Sequence, residues 1–128
     1  MVIGEGVSLG TVGNPVELLP VTPCGLGSSA SDTSNPRKTL TLSDDIVNYR
    51  FLIVYAYTTL SSVERRFAQI IATPFYTENS QIAIGLWSDS NTSYYCYSCV
   101  SMSGTSFNIY RTYYSNYSAP KFQVIGIP

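Results

Sequence analysis

The chain has 128 residues, the length of one ordinary domain, with room for one hydrophobic core and not for a second. Charged residues make up only 12% against 45% hydrophobic, and the formal net charge is -1. There is therefore no cationic surplus to neutralise phosphates or anionic lipid, which removes nucleic acid and membrane surfaces as partners. Histidine is absent altogether, and with it go the Ser-His-acid and Cys-His catalytic arrangements and every histidine-containing metal site.

Behind Met1, the run Val2-Ile3-Gly4-Glu5-Gly6 has neither the basic start nor the continuous apolar centre of a secretory signal. The expectation is a chain folded in a cytoplasm, or a piece cut from something longer. Residues 1–37 are rich in Gly, Pro and Ser, culminating in 25–36, where neither helical nor strand periodicity exists. They read as a loop or flexible lead-in ahead of a domain over 38–128.

From Lys38 the texture changes to short β-branched and aromatic runs separated by turn residues. This predicts an all-β, antiparallel, jelly-roll-like sandwich with strands near 38–42, 49–58, 65–73, 81–88, 93–103, 105–113 and 121–127. Ser43-Asp44-Asp45-Ile46-Val47-Asn48 carries a cap-like Ser followed by acids and predicts at most one short helical turn, the only one in the chain. Residues 51–57 are apolar on both alternating faces and read as a central strand covered on both sides. They are also the longest apolar run, far short of the roughly 18 residues of a membrane span. In 81–87, period-2 alternation puts Ile82, Ile84 and Leu86 on one face and Trp87 on the other, pointing away from the main core. Ser103-Gly104 between two strand patterns reads as a tight hairpin, making the tyrosine-rich strands on either side neighbours.

Cys24, Cys96 and Cys99 are too few for a disulfide framework and are expected as reduced, partly buried thiols. Cys96 and Cys99 have the spacing of a redox or zinc half-site, but in a strand positions three apart point to opposite faces, so the sulfurs diverge. Glycoside cleavage needs two carboxylates across a cleft, and the one pair left open is Glu78 with Asp89. Asp44 and Asp45 fit a turn, and Glu64 with Arg65 and Arg66 fits a solvated strand edge. No cofactor or metal is expected, and the chain reads as a binding or assembly protein that is not an enzyme. The sequons at Asn91 and Asn116 are the kind that chance produces in a chain rich in Ser and Thr.

The most unusual local feature is the concentration of Tyr94, Tyr95, Tyr97, Tyr110, Tyr113, Tyr114 and Tyr117. Tyrosine presents an apolar ring and a hydroxyl at little entropic cost, which suits sugars or other chains, although it is also a good strand residue that fills cross-strand pairs. Asp89-Ser90-Asn91-Thr92 is a polar loop tip beside Trp87, fitting a binding loop or an ordinary hairpin connection.

Two segments, Thr39-Leu40-Thr41-Leu42-Ser43-Asp44-Asp45-Ile46-Val47-Asn48-Tyr49 leading into the apolar strand 50–55, and the ending Lys121-Phe122-Gln123-Val124-Ile125-Gly126-Ile127 after a β-rich middle, carry a resemblance. Over Lys38 to Pro128 the chain resembles the C-terminal domains of bacteriophage tail fibres and related minor tail proteins. The motif reads as a fold signature: Ile46 and Tyr49 plug the sandwich end, and Gly126 lets the last strand approach closely. The resemblance implies a β-sandwich at the distal tip of a homotrimeric fibre in a virion, made in the bacterial host cytoplasm, that recognises a bacterial cell-surface glycan or protein. The candidate receptor-binding residues are then Trp87, Asp89, Asn91, Tyr94, Tyr95, Tyr113, Tyr114 and Tyr117. The alternative is a structural or assembly module with no receptor contact of its own.

Overall fold

The computed structural model describes residues 13–29, 34–88 and 91–128, leaving out the side chains at 87, 88 and 91–93. Eight strands run in order as β1 (Val16–Pro23), β2 (Lys38–Thr41), β3 (Phe51–Leu60), β4 (Val63–Ala72), β5 (Ile82–Ser88), β6 (Asn91–Ser103), β7 (Ser106–Ser115) and β8 (Lys121–Ile127). They form two four-stranded antiparallel sheets, ordered β1-β8-β3-β4 and β2-β7-β6-β5, packed into a sandwich. The first two strands pair with the last two, as in a jelly roll, whereas β3–β4, β5–β6 and β6–β7 close as hairpins. The expected hairpin is a two-residue turn between Ser103 and Ser106, with Gly104 at φ +56°.

Every strand expected from the sequence is present. One that was not expected, β1, lies inside the region read as a lead-in: it pairs with β8 and contributes buried Leu18 and Leu19 to the core, so the sandwich begins well before Lys38. Its signal was hidden because the register slips twice, between Glu17 and Leu19 and again before Thr22, which destroys period-2 alternation. Pro20 and Pro23 also argue against a strand, yet β1 is an edge, where a missing N–H costs no ladder bond. Residues 24–29 are also tied down, Ser29 donating from its amide to the Thr112 carbonyl at 2.6 Å, while 30–33 lie outside the described residues.

Two further expectations are corrected. The turn at Ile46–Asn48 exists as a 3-10 turn, but a second stands at Thr73–Phe75, where Pro74 fixes a helical φ just after β4. The strand β3 is central but covered on one face only. Leu52, Val54 and Ala56 are fully buried, whereas Phe51 is 45% exposed and Ile53, Tyr55 and Tyr57 are half-buried. A two-layer sandwich has no third layer to cover the outer face of its sheet.

The core lies between β3 and β8 on one side and β6 and β7 on the other, with Phe107 and Phe122 meeting across it at 5.3 Å between ring centroids. One end is closed by the segment after β2. Ile46 and Tyr49 are buried there, and a Cβ at Gly126 would stand 2.5 Å from Cδ1 of Tyr49, so only glycine admits that ring. The Tyr49 hydroxyl donates to Asp44 at 2.9 Å. The Asp45 amide and the Asn48 side chain donate to the same carboxylate. Around this plug the Leu42 amide reaches the Thr105 carbonyl, the Ile46 amide reaches Gly104, and the Arg50 amide reaches Ile127. The Thr73 hydroxyl also donates to the Tyr49 carbonyl, bringing in the second 3-10 turn.

Replacing Gly126 by Ala forces a methyl into the Tyr49 ring and is expected to lower unfolding stability in urea by about 1–3 kcal/mol, the usual range for overpacking a full site. The bond from Tyr49 first, then that from Asp45, hold the Asp44 carboxyl below its ordinary value of 3.8, against a smaller opposing effect of burial. Because the folded value is the lower one, ionised Asp44 favours the fold at pH above about 4, and this contribution is lost as pH falls through the folded value. In Tyr49→Phe the Asp44 titration, followed by carboxyl NMR, is expected to move up toward the ordinary value. An unchanged titration would show that the hydroxyl is not the cause.

Candidate functional site

Period-2 alternation splits the tyrosine-rich strands between two faces. In β6, Cys96, Ser98, Val100 and Met102 point into the core, which places Tyr95, Tyr97, Cys99 and Ser101 on the outer face of the sheet. In β7 the register pairs Tyr113 with Tyr97 and Arg111 with Cys99, so these join the same outer face. A bulge absorbs Tyr110, which is buried and shares a hydrogen bond with Ser101 at 2.9 Å.

The centre of this face is a stack. The Tyr95 and Tyr113 rings lie 4.4 Å apart between centroids with 28° between their planes, close to the offset arrangement that aromatic quadrupoles favour. Beside them the Arg111 guanidinium sits 5.9 Å from the centre of the Tyr97 ring, and the Tyr97 hydroxyl is 3.2 Å from the Cys99 sulfur. A hydrogen bond with Tyr95 first, then the Tyr95 charge, pushes the Tyr113 phenol up. Tyr97 is pushed up by its bond with Cys99 and by burial. Both phenols therefore stay neutral hydroxyls at physiological pH. Gly85 faces Tyr97 across the β5–β6 pair, and a Cβ there would lie 2.6 Å from the Cys96 carbonyl oxygen and 2.7 Å from Cα of Tyr97, so the close approach of the strands leaves room only for glycine.

Of the residues singled out from the sequence, the structure brings Tyr95 and Tyr113 together and places Tyr94, Tyr114 and Tyr117 elsewhere. Tyr117 is buried at 4% exposure and is unavailable to a receptor. Tyr114 is half-buried and donates to the Leu26 carbonyl at 3.2 Å, so it pins the loop after β1. Tyr94 falls on the inward face with Cys96, by alternation along β6. Trp87 is paired with Tyr95 through the backbone, but its side chain and that of Asn91 lie outside the described residues, as does Asp89 entirely. The Glu78 and Asp89 pairing therefore also falls outside them. Glu78 itself is exposed and accepts from Ser103.

Among the described residues, two concavities went unread in the sequence, and the stacked tyrosines line neither of them. One, of about 370 Å³, lies between the two 3-10 turns, with Ile46, Val47, Tyr49, Pro74 and Tyr76 as apolar wall and Arg50 and Glu78 as its charged groups. The other, of about 350 Å³, is polar and sits at the opposite end beside Tyr57, Thr59, Glu64, Ser118 and Lys121. The available signal for the first was Thr73-Pro74-Phe75-Tyr76, a proline turn carrying two aromatics, which the strand pattern over 65–73 masked. Compared with known proteins, the chain matches no family model and no curated protein.

The cysteines diverge as the strand period requires: Cys96 is fully buried on the inward face, while Cys99 is half-buried on the outer one. Burial pushes the Cys96 thiol up to about 11, which leaves almost no thiolate at neutral pH. Thiol labelling of the native protein at pH 8 is expected to modify Cys99 well before Cys24 and Cys96, the latter two reacting only as the chain unfolds. Equal labelling rates for all three would contradict this placement.

Proposed function

We propose that this domain is the distal recognition module of a bacteriophage tail fibre or related minor tail protein, carried in the virion as a homotrimer. In this reading it contacts a bacterial surface polysaccharide or protein through the outer face of the β2-β7-β6-β5 sheet. The observation that carries the reading is the stack of Tyr95 on Tyr113 beside Tyr97 and Arg111, on paired strands of 13 and 10 residues. Rings and hydroxyls fixed on a rigid sheet are what sugar stacking and protein contacts use, because few rotamers are lost on binding. The sequence resemblance over 38–128 supports the same reading, as does a surface with little charge of either sign. It requires no catalysis and no cofactor.

A second reading, a structural module of the virion with no receptor contact, is favoured by one observation: the two stacked tyrosines already spend one face on each other. The two readings separate in one experiment. Labelled protein is incubated with intact bacteria and with bacteria stripped of surface polysaccharide, and Tyr95→Ala/Tyr113→Ala is compared with the unchanged chain. The receptor reading expects binding to at least one strain, weakened about tenfold or more by the double substitution with the thermal midpoint little changed. Undiminished adhesion of the variant, or a large loss of thermal stability with no adhesion by either protein, would favour the structural module.

A further inference from the structure

We infer that the ligand of the tyrosine face is an acidic saccharide, a polysaccharide containing uronic acid units, and that Arg111 is the residue that selects it. The inference rests on the receptor reading and narrows it: that reading admits any surface polysaccharide or protein, whereas this one names the charge that the ligand must carry and where on the sugar it must stand.

The charges of the strands are divided unevenly between the two sheets. β2, β5, β6 and β7 contain two cations, Lys38 and Arg111, and no carboxylate, while Glu17 and Glu64 lie in β1 and β4 of the other sheet. Lys38 does not reach the tyrosine face. It is paired with Ile109, which is buried in the core, and its ammonium lies against Gly25. Among the described residues of these strands, Arg111 is therefore the charge that the face presents. The register sets it in a row with Ala83 and Cys99 across β5, β6 and β7, and the adjoining row is Gly85, Tyr97 and Tyr113. The β5 members of both rows, Ala83 and Gly85, are exposed and carry at most a methyl, so in these rows no long side chain of β5 obstructs a polymer that crosses the strands.

The way Arg111 is held suits an anion carried on a sugar ring. Its guanidinium sits 5.9 Å from the centre of the Tyr97 ring. A guanidinium meets an aromatic ring with its face and a carboxylate with its edge, so the contact with Tyr97 orients the fork without competing with a bidentate bond to an anion. Tyr113 stands two residues further along β7, about 7 Å away by the rise of a strand, with Tyr97 paired across from it. A uronic acid bears its carboxylate on the pyranose ring itself. A pyranose seated on the tyrosines next to Arg111 thus brings the carboxylate to the guanidinium and its hydroxyls to the neighbouring phenols. A phosphodiester lies between sugar units and is not positioned by the seating of a ring. A neutral sugar would use the rings and leave the guanidinium without a role in recognition.

The test uses surface polysaccharide extracted from a strain to which the full chain adheres. It is compared before and after carbodiimide activation and borohydride reduction, which turn each carboxylate into a hydroxymethyl group and leave the glycosidic linkages in place. Affinities are measured for wild type, Arg111→Gln and Arg111→Lys. The expected result is that reduction weakens wild-type binding about tenfold or more, the scale of a lost charge-assisted contact. Arg111→Gln is expected to bind the native polymer as weakly as wild type binds the reduced one, and to distinguish the two no longer. Arg111→Lys, which keeps the charge without the fork, falls between. Raising salt from about 50 to 500 mM weakens binding of the native polymer and not of the reduced one. Circular dichroism checks that the variants fold, and should Arg111→Gln not fold, the two polymers compared on wild type decide alone. Wild-type affinity unchanged by reduction, or an Arg111→Gln chain that still prefers the native polymer, would overturn the inference and leave the receptor reading standing. Adhesion that survives removal of the surface polysaccharide would do the same, since the receptor is then a protein. Adhesion to no strain would remove the receptor reading, and this inference with it.

Discussion

The contact on which most of this fold depends is the ring of Tyr49 lying on the bare backbone of Gly126. It is local chemistry with long reach. Asp44, through bonds from Tyr49, Asn48 and the Asp45 amide, fixes the shape of the turn that carries the ring. That turn then holds the β6–β7 hairpin through Leu42 and Ile46, the last strand through Arg50, and the second 3-10 turn through the Tyr49 carbonyl. A sandwich whose first strands pair with its last ones must bring both ends of the chain together, and here one aromatic plug fixes where they meet. The same plug forms a wall of the groove between the two 3-10 turns.

What could be read from the sequence follows the strength of the local signal. Strands with clean alternation or turn punctuation, from β2 to β8, were legible within a few residues. So were the plug formed by Ile46, Tyr49 and Gly126, the divergence of Cys96 from Cys99, and the solvated edge at Glu64 to Arg66. The strand β1 was not, because two register slips and two prolines erased its periodicity, and its place in the sheet depends on pairing with residues about 100 positions away. The missing outer cover of β3 was illegible for another reason: alternation shows that both faces are apolar, but not whether a second layer of the same chain or another molecule covers them.

The candidate site was legible as a cluster and not as a geometry. Seven tyrosines stand close together in the sequence, yet strand alternation and one bulge distribute them among the core, a loop anchor and the outer face. Tyr95 and Tyr113 remain as the stacked pair, with Tyr97 beside them. Tyr117 and Tyr110 serve packing, which the composition alone does not separate from recognition. The two outer faces of the sandwich consequently differ in chemistry: one is aromatic and hydroxylated with Arg111 beside its rings, the other aliphatic over the rows through Phe51 and Ile53. The first is the face proposed for recognition.

The most direct measurement of that division is a ring-resolved NMR spectrum of tyrosine-labelled protein, recorded with and without surface polysaccharide extracted from bacteria to which the protein adheres. Shifts at Tyr95, Tyr97 and Tyr113, with Tyr55 and Tyr57 on the opposite sheet unmoved, are the result expected if the tyrosine face is the recognition surface. Shifts confined to Tyr55 and Tyr57, or to Tyr49 and Tyr76 at the groove, would contradict it and move recognition away from the tyrosine face.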